Sequence, residues 1–191
     1  YEAIAGKDEM DNTSSHKEVE SKAEAKPSYK IAYFKEYLEA KGLDPEIREK
    51  TYAYLEDLKS QGHEIQELEF PYLDFMVPTY YVLTTAEASS NLARYDGVHY
   101  GYRSAEAVDL ESTYKKSRTE GFGKEVQRRI MLGTFVLSAG YYEAFYGKGQ
   151  QVRRLIQNHT RKAFEQVDFI LTPTCPKTCL LYTSDAADER S

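Results

Sequence analysis

Residues Thr84–Gly101 read TTAEASSNLARYDGVHYG. The two halves of this stretch ask for different backbones. Thr84–Leu92 carries no helix breaker and continues a helical pattern that begins near Asp74, with Pro78 in its first turn. Asp96–Gly97 then has strong turn chemistry: Asp bonds the backbone ahead of it, and Gly accepts positive φ. Along the helix, Glu87, Asn91 and Arg94 follow one another at spacings of four and three. They form a polar stripe on an otherwise largely apolar helix. The expected role of this stripe is a buried network that caps the helix end and holds the ARYDG turn.

Three more helices are expected downstream. One covers roughly Asp109–Thr119 and a second roughly Lys124–Tyr142. The second is apolar on most sides between Ile130 and Ala139, so it is expected to be buried. The third, roughly Lys148–Gln166, places Val152, Leu155, Ile156, Ala163 and Phe164 on one face. Val167–Thr172 (VDFILT) then reads as a buried strand ended by Pro173.

Upstream, Lys30–Phe34 (KIAYF) reads as a short strand. Asp44–Pro45 is a helix start, because Asp caps free N–H groups and Pro fits the first turn. Ile47, Thr51, Tyr54, Leu55 and Leu58 keep helical spacing, and Gly62 suits the stop. His63–Phe70 (HEIQELEF) alternates as a strand does. Strand, helix and strand in this order make a βαβ unit with parallel strands, and so an α/β fold class.

The composition is that of a globular chain: 191 residues, 41% hydrophobic and 29% charged. No apolar run reaches the roughly 20 residues a membrane span needs. The net charge is −6, and the 25 Lys and Arg residues read as scattered, so the main grip on a nucleic acid is expected elsewhere. Cys175 and Cys179 have no ligand partners at zinc spacing and point to neither a metal nor a disulfide, which fits a reducing, cytoplasmic setting.

Arg129 is the clearest candidate for chemistry. On a helix its neighbours at three, four and seven residues are Val126, Leu132, Gly133 and Val136. A guanidinium on such a face needs an anion. A structural carboxylate from elsewhere in the fold and the carboxylate of a ligand both answer, since arginine's fork grips either. Arg128 instead faces Lys124 and Glu125. Tyr80 shares a helical face with Met76, Val77, Thr84 and Glu87, where a tyrosine is ordinarily core with its hydroxyl satisfied. The serine pairs Ser14–Ser15 and Ser89–Ser90 lack the Gly-rich loop that would supply an oxyanion hole. Cys175 and His159 have no acid partner at a recognisable spacing.

Thr84–Gly101, together with SRTEGFGKEVQRRIMLGTF at Ser117–Phe135 and AIAGKDEMDNTSS near the start, resembles one family. It is the A subunits of the Glu-tRNA(Gln)/Asp-tRNA(Asn) amidotransferases, within the amidase-signature enzymes. The resemblance implies a mixed sheet surrounded by helices, here truncated. It also implies an activated serine that attacks the glutamine side-chain amide, and ammonia passing to the partner B subunit. There the misacylated tRNA is activated with ATP and Mg2+, and the tRNA is held mainly by that partner; a small C subunit holds the pair together. No cofactor is implied in this chain. By position, Arg129 matches the arginine that helps hold the α-carboxylate of glutamine, and Tyr80 matches a pocket tyrosine. Glu87, Asn91, Arg94, Asp96 and Gly97 fall in a supporting segment.

The family's Ser–Ser–Lys apparatus has no match in this chain, and an acidic residue expected to bind the substrate amine has none either. Residues 1–29 are expected to be a loop segment and 30–178 part of an amidase-signature domain. Cys179–Glu189 (CLLYTSDAADE) resembles a translated sequencing adapter, so 179–191 is expected to be an artefact. Two other readings stay open. One is a fragment of a monofunctional amidase with another amide substrate; the other is a non-catalytic α/β binding module.

Overall fold

Lys30–Phe34 forms β1, and it is buried on both faces, through Ile31, Ala32 and Phe34. That burial follows from its central place. The sheet order is β2-β1-β3, with Glu64–Leu68 as β2 and Phe169–Ile170 as β3. Both pairings are parallel, with Lys30 opposite Glu64 and Ile31 opposite Phe169. The parallel βαβ unit expected from sequence is thus present. The third strand is shorter than expected, and Phe169 stands 53% exposed at the open edge.

The computed structural model describes residues 6–15 and 25–178. The reading of residues 179–191 lies outside them. Among the described residues regular structure begins at Lys30, and residues 6–15 hold only turns. In those turns Asp8 and Asp11 side chains accept from Met10 and Thr13 N–H groups, at 2.9 and 2.8 Å.

Helices cover both sides of the sheet. A short α1, Lys35–Glu39, follows β1 directly; the sequence pattern does not announce it, because one turn gives no periodicity. α2, Pro45–Ser60, starts as expected: the Asp44 carboxylate accepts from the Glu46 N–H at 2.9 Å. Beneath α2 one core forms from Leu38, Leu43 and Leu55, with Tyr33 and Ile65 packed against it. The opposite face, carrying Phe34 and Phe70, packs on Ala163 and Ile156 of a helix at Lys148–Phe164, α6 in chain order. Alternation along β1 assigns Tyr33 to one layer and Phe34 to the other. Glu36 fixes the chain after β2 by accepting from the Phe70 N–H at 2.7 Å.

A second helical group holds α3 (Leu73–Asn91), a 3-10 turn (Leu92–Arg94), α4 (Leu110–Gly121) and α5 (Lys124–Leu137). α3 packs chiefly on α5 and also on α6. The α3–α5 approach is very close. A Cβ placed on Gly133 would stand 1.9 Å from the Thr85 carbonyl oxygen and 2.7 Å from Ser89 Cβ. Only glycine leaves room there.

Three sequence expectations are corrected. α5 ends at Leu137 instead of continuing to Tyr142; Ser138 is extended, and a π-turn at Glu143–Gly147 leads into α6. α5 is also not buried, since Met131, Leu132 and Phe135 are 73%, 47% and 43% exposed. Gly133 and Val136 are its buried positions, Gly133 at the α3 crossing, and beyond that face the aromatic contacts of Phe135 with Tyr141 and Phe145, at 4.2 and 5.8 Å, give only partial cover. Likewise Leu155 and Phe164 of the expected α6 face are about half exposed, at 49% and 51%. Val152 and Ile156 are half-buried and Ala163 buried, so the face is narrower than its periodicity suggests.

We expect Gly133→Ala to destabilise the chain by about 1–3 kcal/mol, because the new methyl meets backbone that cannot rotate away. Urea unfolding followed by circular dichroism measures this, with Gly140→Ala as the control, since nothing lies within 4 Å of that site.

Candidate functional site

The α3–α5 crossing also sets the environment of Arg129. Its Nε donates to Glu125 Oε1 at 3.0 Å, one turn back on the same helix. The sequence pattern points to an anion elsewhere in the fold or on a ligand, and assigns Glu125 to the neighbour Arg128. Glu125 in fact serves both, with Arg128 Nη2 at 3.0 Å from its other oxygen. The Arg129 side chain is 37% exposed, so this pair sits at the surface and is not a desolvated core pair.

Tyr80 reaches the same spot from α3. Its hydroxyl, ahead of Glu125, raises the Arg129 guanidinium above its usual value. The hydrogen bond of Arg129 is the one to Glu125, and Tyr80 acts on the guanidinium from nearby. Tyr80 itself is 53% exposed, so it is not a core tyrosine; it stacks edge-on with Tyr81 at 5.4 Å. Tyr80, Glu125 and Arg129 thus form a solvent-facing cluster of one hydroxyl, one carboxylate and one guanidinium. One Arg129 N–H is committed to Glu125, and the fork has five. Such a cluster can accept a second carboxylate.

The supporting residues divide. Asp96 and Gly97 build the turn as expected. Asp96 Oδ1 accepts from the Val98 and His99 N–H groups, both at 2.8 Å, and Oδ2 lies 2.7 Å from His99 Nδ1. Gly97 has φ +80°, and a Cβ there would meet Ser117 Oγ at 2.4 Å. Glu87, Asn91 and Arg94, by contrast, are exposed and form no buried network. Arg94 donates to the Asn91 carbonyl at 3.4 Å and lies 6.0 Å from the Tyr100 ring. The stripe is present at its expected spacing, but the face it marks points outward.

A residue that the sequence pattern does not single out does the capping. Arg118 of α4 donates through Nη1 to the Leu92 carbonyl at 2.8 Å and the Tyr95 carbonyl at 2.9 Å. Both carbonyls lie where α3 and its 3-10 turn end; that of Leu92 also accepts from the Tyr95 N–H at 3.2 Å, and Arg118 gives each a charged donor. Ser117 adds to the same joint by accepting from the Ser104 N–H at 3.0 Å. The signal lies in SRTEGFG, where a basic residue in the last turn of a helix suits a carbonyl-rich neighbour.

The other candidates have local partners. Ser89 and Ser90 hydroxyls donate to the Ala86 carbonyl at 2.9 and 3.2 Å, as helical serines do. Ser14 Oγ accepts from the Asp8 N–H at 2.9 Å. Cys175 donates to the Lys177 carbonyl at 3.1 Å, while His159 Nε2 lies 2.8 Å from the Glu69 carbonyl, so thiol and imidazole are separately engaged. Two open cavities of about 450 and 430 Å³ lie elsewhere; neither is lined by Tyr80 or Arg129. No helix among the described residues is long and apolar enough to cross a membrane.

Comparison with known proteins defines the class. The amidase family model matches residues 1–188, and the chain belongs to the amidase family. It is 51% identical over 178 residues to the A subunit of glutamyl-tRNA(Gln) amidotransferase from Chlorobium limicola, covering 91% of this chain and 37% of that protein. The corresponding protein of Coxiella burnetii is 48% identical over 190 residues, covering 97% of this chain and 39% of the relative. Among solved structures, the A subunit of glutamyl-tRNA(Gln) amidotransferase from Thermotoga maritima superposes with a TM-score of 0.61 at 33% identity, covering 95% of this chain and 35% of that one. The chain therefore spans somewhat over a third of the length of the curated relatives it matches.

The turn offers a pH test. The N–H of His99, then its ring, then the N–H of Val98 hold the Asp96 carboxyl well below the usual carboxylate range. A depressed folded pKa stabilises the fold above the unfolded value, and that stability is lost as pH falls toward the folded value. The stability gap between the native chain and Asp96→Asn is therefore expected to be full near neutrality. It shrinks as the pH drops below about 4. Urea midpoints taken at neutral and acid pH check this; a gap independent of pH would count against the assignment.

Proposed function

We propose that this chain is part of the glutaminase subunit of a tRNA-dependent amidotransferase. In this reading it supplies one wall of the glutamine pocket. The observation that carries it is the meeting of Tyr80 and Arg129 across α3 and α5, in a chain 51% identical to such a protein. The Arg129 fork receives the α-carboxylate of glutamine, with Tyr80 beside it and Glu125 orienting the guanidinium. The reaction is attack by an activated serine on the side-chain amide, giving an acyl-enzyme and ammonia. The described residues supply binding to that reaction and not the nucleophile.

The wider assignment follows from the family. Ammonia released from glutamine converts Glu-tRNA(Gln) to Gln-tRNA(Gln), or Asp-tRNA(Asn) to Asn-tRNA(Asn). We assign ATP and Mg2+ to the partner B subunit, which activates the tRNA-borne carboxylate, and cohesion of the complex to the small C subunit. The setting is cytoplasmic.

Two measurements test this. The 191-residue chain alone is expected to release no ammonia from glutamine above the uncatalysed background. Arg129→Ala, placed in the full-length protein, is expected to raise the KM for glutamine by the equivalent of about 1.5–3 kcal/mol with kcat little changed, since a ground-state charged contact is lost. An unchanged KM would leave Arg129 as nothing more than the partner of Glu125.

A further inference from the structure

The basic residues look scattered along the sequence, but α6 gathers a set of them. Lys148–Phe164 reads KGQQVRRLIQNHTRKAF, which holds Lys148, Arg153, Arg154, Arg161 and Lys162 and no Asp or Glu. This stands out in a chain of net charge −6. The inner side of α6 is engaged: Ile156 and Ala163 pack in the core beside β1, and Gly149 meets Val82 and Leu83 of α3. Arg153, Arg154, Arg161 and Lys162 are all exposed on the remaining surface.

None of these four cations is in an ion pair among the described residues. Arg154 donates only to Gln157, at 3.0 Å. Elsewhere on the chain some cations pair with carboxylates, as Lys115 does with Glu111 and Arg128 with Glu125, while others such as Lys50 and Lys59 stand in no ion pair among the described residues; what sets α6 apart is the gathering of unpaired cations on one helix without a carboxylate. Arg154 and Arg161 share one face of the helix, separated by seven residues, or about 10 Å along the axis. Between them on that face stand Gln157 and Asn158, which add neutral hydrogen-bond donors. Beside Arg161 and Lys162 the surface dips into the hollow of about 430 Å³ that reaches Tyr72. Among the residues lining that hollow the one carboxylate is Glu165, and Glu69 reaches His159 through its backbone carbonyl.

We infer that the outer face of α6 is a docking surface for the phosphate backbone of tRNA. It gives this protein its own contact with nucleic acid, and the choice of tRNA rests on the amidotransferase reading above. The chemistry favours phosphate over an acidic protein surface. Exposed arginines interleaved with amides bind a repeating anion without needing a shaped apolar centre, and the row Arg154, Gln157, Asn158 and Arg161 holds no apolar residue, the half-exposed Leu155 and Phe164 lying to its sides. Recognition there is of backbone and not of base sequence.

The test is fluorescence anisotropy of a fluorescein-labelled glutamine-tRNA transcript titrated with the 191-residue chain. Binding is expected to weaken linearly in log K against log salt. Arg154→Gln/Arg161→Gln is expected to weaken binding about tenfold at low salt and to flatten the slope by about 1–2 units. The same charge change on α2, Lys50→Gln/Lys59→Gln, is expected to leave affinity within about twofold. Far-UV circular dichroism confirms that both variants keep native helix content. No binding by the native chain overturns the inference. So does equal weakening by both variants, which would report net charge alone. Displacement of the tRNA by polyaspartate as effective as by an equal charge of polyuridylate would assign the face to an acidic protein partner. None of these readouts involves glutamine, so the outcome is independent of the Arg129→Ala result.

Discussion

The close crossing of α3 and α5 is the constraint on which the candidate site depends. It exists because Gly133 has no side chain where the Thr85 carbonyl passes. One turn back along both helices from that contact stand Tyr80 and Arg129. Their meeting is thus a by-product of a backbone approach that one missing methyl permits. Any larger residue would push the helices apart and separate hydroxyl from guanidinium. Arg118 adds the second support, tying α4 to the Leu92 and Tyr95 carbonyls just beyond the end of α3.

Electrostatics at the site follow from its exposure. A guanidinium 37% open to water does not need a buried counter-ion, and one carboxylate on its own helix is enough to orient it. That is why the expectation of a distant structural anion fails: the partner is one turn away on the same helix. That pair engages one N–H of the guanidinium, at Nε. The Asp96 turn works on the same scale. Short bonds to two N–H groups and an imidazole hold a loop that has little apolar burial of its own.

Much of the fold is legible in the sequence because the signals are local. Asp44–Pro45 announces α2, KIAYF and HEIQELEF announce the parallel pair, and Asp96–Gly97 announces its turn. The misses have one cause. Apolar periodicity says that a helix wants cover, not that the cover is present. Met131, Leu132, Phe135, Leu155 and Phe164 are written as core residues and stand exposed. The described chain corresponds to somewhat over a third of its curated relatives, and the cover those surfaces receive from it is partial, as where Phe135 meets Tyr141 and Phe145. Glu87, Asn91 and Arg94 mislead for a related reason: a polar stripe looks the same whether it faces a core or water.

The sequence by itself determined the local grammar: which segments become strands and helices, where they stop, and which arginine sits among apolar neighbours. It also carried the family, because side-chain identity survives in order along the chain. Only the tertiary structure decided which anion that arginine takes, which helix lies close enough to bring a tyrosine beside it, and which cations remain unpaired. Those outcomes depend on distances between segments far apart in the chain. A single missing Cβ sets one of them, and no pattern read within a helix contains it.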